Sequence, residues 1–170
     1  MPRCWVSIGS NVQPEENIRA ALAELRETFD EIVVSPLYET AAVGFSGDDF
    51  LNLVVGFESD LPPGRLHDLM REIEDRHGRQ RNGEKFSART LDLDLLTYGD
   101  TVTEDGGKSL PRDEILRYAF VLAPLTDVAG DELHPQRGEP YRTLWSRFPE
   151  SDKKGLRRLD DPAWLHGNVD

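Results

Sequence analysis

Apolar residues fall in short runs whose spacing switches between two periods. Cys4 to Ile8 read as a strand that runs into the turn cluster Gly9-Ser10-Asn11. Pro14 follows, at a place where proline suits the first helical position. Ile18, Ala21, Leu22, Leu25 and Phe29 then recur at helical spacing, which predicts a helix with one buried stripe and with Glu15, Glu16, Glu24 and Glu27 in water. Residues 31–39 read as extended, because Ile32, Val33 and Val34 are β-branched and Pro36 disfavours helix; Pro36 also suggests an edge position. Past a loop from Ala41 to Asp49 that carries Gly44 and Gly47, Phe50 to Phe57 reads as a central strand interrupted by Asn52. A second helix begins near Pro62-Pro63, places Leu66, Leu69, Met70 and Ile73 on one stripe, and stops at Gly78. Leu91-Asp92-Leu93-Asp94-Leu95-Leu96 alternates with period two, the signature of a strand with one buried and one exposed face.

The order β-α-β-β-α-β is the split βαβ, ferredoxin-like arrangement, an α+β fold in which two helices cover one face of an antiparallel sheet. Tyr118 to Val128 predicts a further apolar helix at the domain edge. The 170 residues suit one hydrophobic core, so residues 1–148 read as a single domain and the polar stretch 149–170 as a loosely attached tail.

Composition narrows the function classes. A formal net charge of -12 opposes non-specific binding to nucleic acid. Cys4 is the sole cysteine and points to no oxidising compartment; its plain reading is a small residue in a buried strand. The N-terminus lacks the apolar stretch of a signal peptide and no later run is long enough for a membrane span, which leaves the cytoplasm as the default. Within this acidic chain, Arg76, Arg79, Arg81, Lys85 and Arg89 stand against the single acid Glu84. Such a basic island suits a compact polyanion, such as a nucleoside triphosphate, as well as it suits a solvated loop.

Asp92 and Asp94 are two apart on a strand, so they share one face while Leu91, Leu93 and Leu95 point into the core. Their backbone separation is roughly 6.6–6.8 Å. Paired divalent cations in a transfer site lie ~3.5–4 Å apart, a spacing that two such carboxylates can bridge. An alternating strand also exposes acids simply for solubility, and Asp-x-Asp alone does not separate the two readings. Arg89 and the basic island lie immediately upstream, and phosphate transfer needs both cationic side chains and metal ligands. Gly106-Gly107-Lys108-Ser109 is an ordinary loop, since Val102 occupies the earlier glycine position that a P-loop requires. His67, His77, His134 and His166 lack a metal-binding spacing.

Taken together, Ser7-Ile8-Gly9-Ser10-Asn11, Phe50-Leu51-Asn52, Gly78-Arg79, Arg89-Thr90-Leu91-Asp92-Leu93-Asp94 and Phe120-Val121-Leu122-Ala123-Pro124-Leu125 resemble the hydroxymethyldihydropterin pyrophosphokinases of folate synthesis, from about Trp5 to Phe148. The resemblance implies a ferredoxin-like fold and pyrophosphoryl transfer from ATP to the hydroxymethyl group of 6-hydroxymethyl-7,8-dihydropterin, with release of AMP. It implies that Asp92 and Asp94 hold two magnesium ions and that Arg79 and Arg89 act on the phosphates. Glu74, Arg81 and Phe86 would line the ATP side. The pterin would lie between Phe50 and Phe120, with Asn52 on its polar edge and the backbone of Thr40, Ala41, Ala42 and Val43 completing the pocket. Small molecules are the implied partners, with no nucleic acid, membrane or obligate protein partner.

The chain departs from the family pattern in places. Arg112 follows Pro111 where the family usually has histidine, and Tyr118 stands where it has arginine, with Arg117 one residue early. Both arginines are expected on the ATP side as replacements. Ala41 and Ala42 replace common prolines. Two other classes compete: a non-catalytic paralogue that binds nucleotide or pterin and regulates a partner, and a metal-dependent nuclease. Retention of both aspartates and both loop arginines opposes the first, and the net charge opposes the second.

Overall fold

The computed structural model describes residues 1–40, 49–77, 91–104 and 109–166. Strand β1 (Arg3–Ser10) lies between two antiparallel neighbours, β4 (Phe50–Glu58) and β5 (Asp92–Tyr98). On the far side of β4 lie β2 (Val33–Val34) and β3 (Tyr38–Thr40), and β6 (Arg157–Arg158) closes against β3. The main path through this open sheet is β5-β1-β4-β3-β6. With α1 (Pro14–Phe29) after β1 and α2 (Pro63–Arg76) after β4, the core has the expected βαββαβ order.

Period-two alternation divides the sheet's side chains between two cores. Cys4, Val6 and Ile8 of β1, Leu53, Val55 and Phe57 of β4, and Leu93 and Leu95 of β5 pack with the helical stripes Ile18, Ala21, Leu22, Leu25 and Leu66, Met70, Ile73. Phe29 stacks on Phe57 with centroids 3.8 Å apart. Each fully buried Leu or Ile here contributes about 1.5–3 kcal/mol relative to exposure. Trp5, Val54 and Leu96 point the other way, and α3 (Glu114–Arg117), α4 (Ala119–Ala129) and α5 (Tyr141–Arg147) cover them. The expected edge position for the third long helix is therefore corrected. The second face carries large apolar side chains that need cover, and the buried residues of α4, from Val121 to Leu125, supply it.

Two backbone irregularities shape the sheet. The extended stretch 31–39 breaks at Ser35, whose Oγ accepts the Val54 N–H at 2.8 Å and so replaces a ladder bond before Pro36. Pro36 thus falls in the gap between β2, which pairs with β4 off the main path, and β3. In β5 the register against β1 shifts between Trp5 and Val6: Leu96, which packs in the second core, is the inserted residue, and Thr97 pairs with Trp5.

The polar composition past Phe148 predicts a loose attachment, and the structure differs. β6 pairs with β3, the Leu159 N–H donates to Leu37 O at 2.9 Å, and Leu165 is fully buried in the first core. Arg26 Nη2 donates to Leu165 O at 2.8 Å, and the Arg19 guanidinium lies over Trp164. Trp164 and Leu165 are the apolar anchors that the overall polarity of this segment conceals.

Candidate active site

Register sets the composition of the second face. Cα partners across antiparallel strands share a face, so Tyr38, Asn52, Gly9 and Asp92 form one row across four strands, and Val54, Ser7 and Asp94 form the next. Thr40 pairs with Phe50 one step beyond Asn52 and falls on the same face. The face therefore runs from apolar at Trp5, Val54 and Leu96, under α4, to polar at Asn52, Asp92 and Asp94. Asp92 is partly exposed and Asp94 exposed.

Gly9 matters because it lacks a side chain. Asn52 and Asp92 lie two strand spacings apart, about 9.5 Å, on either side of it. A Cβ at Gly9 would stand 3.0 Å from Asn52 Oδ1, so glycine lets the carboxamide lean over β1 toward the aspartate side. The Asn52 amide donates to Thr40 Oγ1 at 3.3 Å, and Asn52 is 6% exposed. A fixed, nearly buried amide presents oriented donors and acceptors to a polar ring edge.

Helix α4 forms a second boundary. Phe120 lies in its first turn, partly buried against the second core, with Tyr118 stacked on it at 5.0 Å and 21°. At the other end of the helix Asp127 accepts from the Tyr38 hydroxyl at 2.5 Å. This bond ties α4 to the strand that leads to Thr40; burial first, then the bond to Asp127, hold the phenol's pKa above its ordinary value.

The residues expected on the ATP side are less uniform. Glu74 is buried, and its Oε2 accepts the Leu93 N–H at 2.8 Å, which fixes edge strand β5 between the two aspartates. Arg112 is tied to the same strand from the other side, its N–H donating to Leu96 O at 2.8 Å. Its Nε and Nη2 donate to Glu114 Oε2 at 2.9 and 2.6 Å. Burial lowers the Arg112 pKa, but the bond to Glu114 and the charges of Glu114, Asp94 and Asp113 outweigh it and hold the group above its ordinary value. Arg112 thus stands in the field of Asp94. The Arg117 side chain is exposed and its guanidinium lies over the Tyr118 ring, 5.4 Å from the centroid. Arg79, Arg81, Phe86, Arg89, Ala41, Ala42 and Val43 lie outside the described residues.

Among the described residues no group of three or more His, Cys, Asp or Glu side chains gathers as a metal cluster. Two carboxylates on one strand face are nevertheless a donor set that suits magnesium, which commonly takes one or two carboxylates and completes its shell with phosphate oxygens and water.

Residues 5–130 match the sequence model of 7,8-dihydro-6-hydroxymethylpterin-pyrophosphokinase, HPPK. The chain belongs to the HPPK family. It is 35% identical over 137 residues to the 2-amino-4-hydroxy-6-hydroxymethyldihydropteridine pyrophosphokinase of Synechocystis, covering 79% of this chain and 70% of that protein. The enzyme of the same name from Haemophilus influenzae is 30% identical over 139 residues, covering 79% and 86%. A crystal structure of wild-type Plasmodium falciparum HPPK-DHPS superposes with a TM-score of 0.70 at 12% identity, over 92% of this chain and 48% of that one. The chain thus spans about half of that solved protein, and at this identity the likeness bears on the fold alone.

Asp92 and Asp94 share a strand face as their spacing predicts, whereas the neighbours that Gly9, Tyr38, Tyr118 and Asp127 acquire across the fold do not show in the sequence. Gly9 and Tyr38 take their places through strand register, and Tyr118 and Asp127 through the placement of α4. The one local signal is the aromatic pair Tyr118 and Phe120, spaced two apart at the start of an apolar helix.

Proposed function

We propose that the chain catalyses ATP-dependent pyrophosphoryl transfer to the hydroxymethyl group of 6-hydroxymethyl-7,8-dihydropterin, with release of AMP, in folate biosynthesis. Membership in the HPPK family supports the reaction. The row that brings Asn52 and Asp92 onto one sheet face across Gly9 is the observation that carries the assignment of residues. The hydroxymethyl oxygen forms its bond to the β-phosphorus, the bond from that phosphorus to the α–β bridging oxygen breaks, and AMP leaves with that oxygen. The hydroxyl proton passes to solvent or to a basic oxygen.

In this reading Asn52 hydrogen-bonds the pterin's polar edge, Phe50 and Phe120 flank its faces, and the Thr40 end of β3 with Ala41, Ala42 and Val43 closes the pocket. Stacking faces combined with a fixed amide are what a flat polar heterocycle requires. Asp92 and Asp94 would hold two magnesium ions, which when bound offset phosphate charge and align the chain for in-line attack. Glu74 keeps β5 in place, Arg112 supplies fixed positive charge on the nucleotide side, and Arg79, Arg81, Phe86, Arg89 and Arg117 complete that side. Guanidinium suits this task because it is always charged and can meet phosphate oxygens in a forked geometry.

No helix among the described residues is long and apolar enough to cross a membrane. The thiol of Cys4 is buried, and burial pushes its pKa up to about 12, which makes it an unreactive core group. Both fit a cytoplasmic enzyme that acts on small molecules.

Asp92→Asn and Asp94→Asn test the assignment. Each is expected to cut turnover by at least ~10²-fold, as loss of a key electrostatic group does. Each should leave the thermal midpoint close to wild type, because the pair lies on the polar side of β5. Wild-type AMP release by either variant at saturating magnesium would remove the two carboxylates from the mechanism.

A further inference from the structure

Tyr118 is where the chain departs from its family's arginine, and the structure gives its ring a definite neighbour. The residue joins two helices: its N–H donates to Glu114 O at 3.0 Å, and its carbonyl accepts from Val121 and Leu122, both at 3.1 Å. These bonds close α3 and open α4, so the backbone that carries the ring is fixed on both sides. The ring projects at 38% exposure, stacks on Phe120 at 5.0 Å and 21°, and lies beneath the Arg117 guanidinium at 5.4 Å. Neither the aromatic nor the cationic contact is needed to bury Tyr118, which remains at the surface. Their effect falls on Phe120, whose partly buried ring has its orientation set by the face laid against it.

We propose that Tyr118 is a positioning residue for the pterin side of the site: it holds the Phe120 ring in the plane that stacks on the substrate. The inference rests on Phe120 being a wall of the pterin pocket. It assigns Tyr118 to substrate recognition rather than to the phosphates, so the family's arginine is replaced here in position and not in task. The hydroxyl has no part in it, because the ring face makes the contact.

The test is a double-mutant cycle on the intact chain. Affinity for 6-hydroxymethylpterin is measured calorimetrically at saturating magnesium and α,β-methylene-ATP, and KM and kcat are measured with the dihydropterin and ATP. Tyr118→Ala is expected to weaken pterin binding about 2- to 10-fold, the range for an aromatic pair, with kcat at saturating pterin and affinity for the ATP analogue unchanged. Tyr118→Phe should match wild type. Phe120→Ala should weaken pterin binding further, and the double variant should equal Phe120→Ala alone, because Tyr118 acts through that ring. Additive losses in the double variant, a loss in Tyr118→Phe equal to that in Tyr118→Ala, a selective loss of affinity for the ATP analogue, or an unchanged Tyr118→Ala would each overturn the proposal. If Phe120→Ala itself binds pterin as wild type does, the underlying pocket assignment fails, a result distinct from failure of Tyr118 alone.

Discussion

A single methyl group at position 56 is enough to disturb the second core. Gly56 lies opposite Trp5, and a Cβ there would fall 2.3 Å from the indole Cζ3, while the ring is held by its Nε1–H donating to Glu132 Oε1 at 3.0 Å. Gly56→Ala is therefore expected to lower stability by about 1–3 kcal/mol, as overpacking does; an unchanged denaturant midpoint would contradict the packing described. His134 gives a pH-dependent counterpart. Its Nδ1 accepts the backbone N–H groups of Gln136 and Arg137, and its ring meets Tyr141 edge to face at 6.1 Å. Burial first, then the charge of Arg137, hold its pKa below the ordinary value of 6.5. The folded state thus binds fewer protons than the unfolded one, so this stabilisation is complete above about pH 6.5 and is lost as pH falls below it. Thermal midpoints of wild type and His134→Gln should differ in slope below that pH, wild type falling more steeply; parallel curves would contradict a neutral His134. At this scale Asp92 and Asp94 were legible because alternation displays them on one strand. Gly9 and Tyr118 were not, since a glycine's meaning depends on which residues pair beside it.

At the level of elements, helical periodicity and strand alternation predicted α1, α2, β1, β4 and β5 with their buried stripes, because each pattern is contained within one short window. What lay beyond reach was the face to which an element belongs. The buried stretch of α4 names no partner until Trp5, Val54 and Leu96 are known to point away from the first core. Likewise the register shift against Trp5 and Val6, which brings Thr97 rather than Leu96 opposite Trp5, leaves no signal in the run Leu95-Leu96-Thr97. The site follows from the same division. One face of the sheet is apolar where α4 covers it and polar where β1, β4 and β5 present Gly9, Asn52 and the two aspartates.

Across the whole molecule, the chain beyond Phe148 closes the sheet at β3 and returns to α1. This strap lies outside the part of the chain that the family model matches, yet it fastens the strand ending at Thr40. Leu165→Ala is expected to cost about 2–5 kcal/mol, the usual range for a fully buried leucine. A shift indistinguishable from that of a surface substitution would show that the strap is dispensable. The reaction is defined by which bond of ATP is broken. Purified chain is mixed with magnesium, ATP and 6-hydroxymethyl-7,8-dihydropterin, and the nucleotide and pterin products are followed together by phosphorus NMR. AMP and a pterin diphosphate are expected in equal amounts, neither forming when the pterin is omitted. Formation of ADP with a pterin monophosphate, or AMP release that does not depend on the pterin, would contradict pyrophosphoryl transfer.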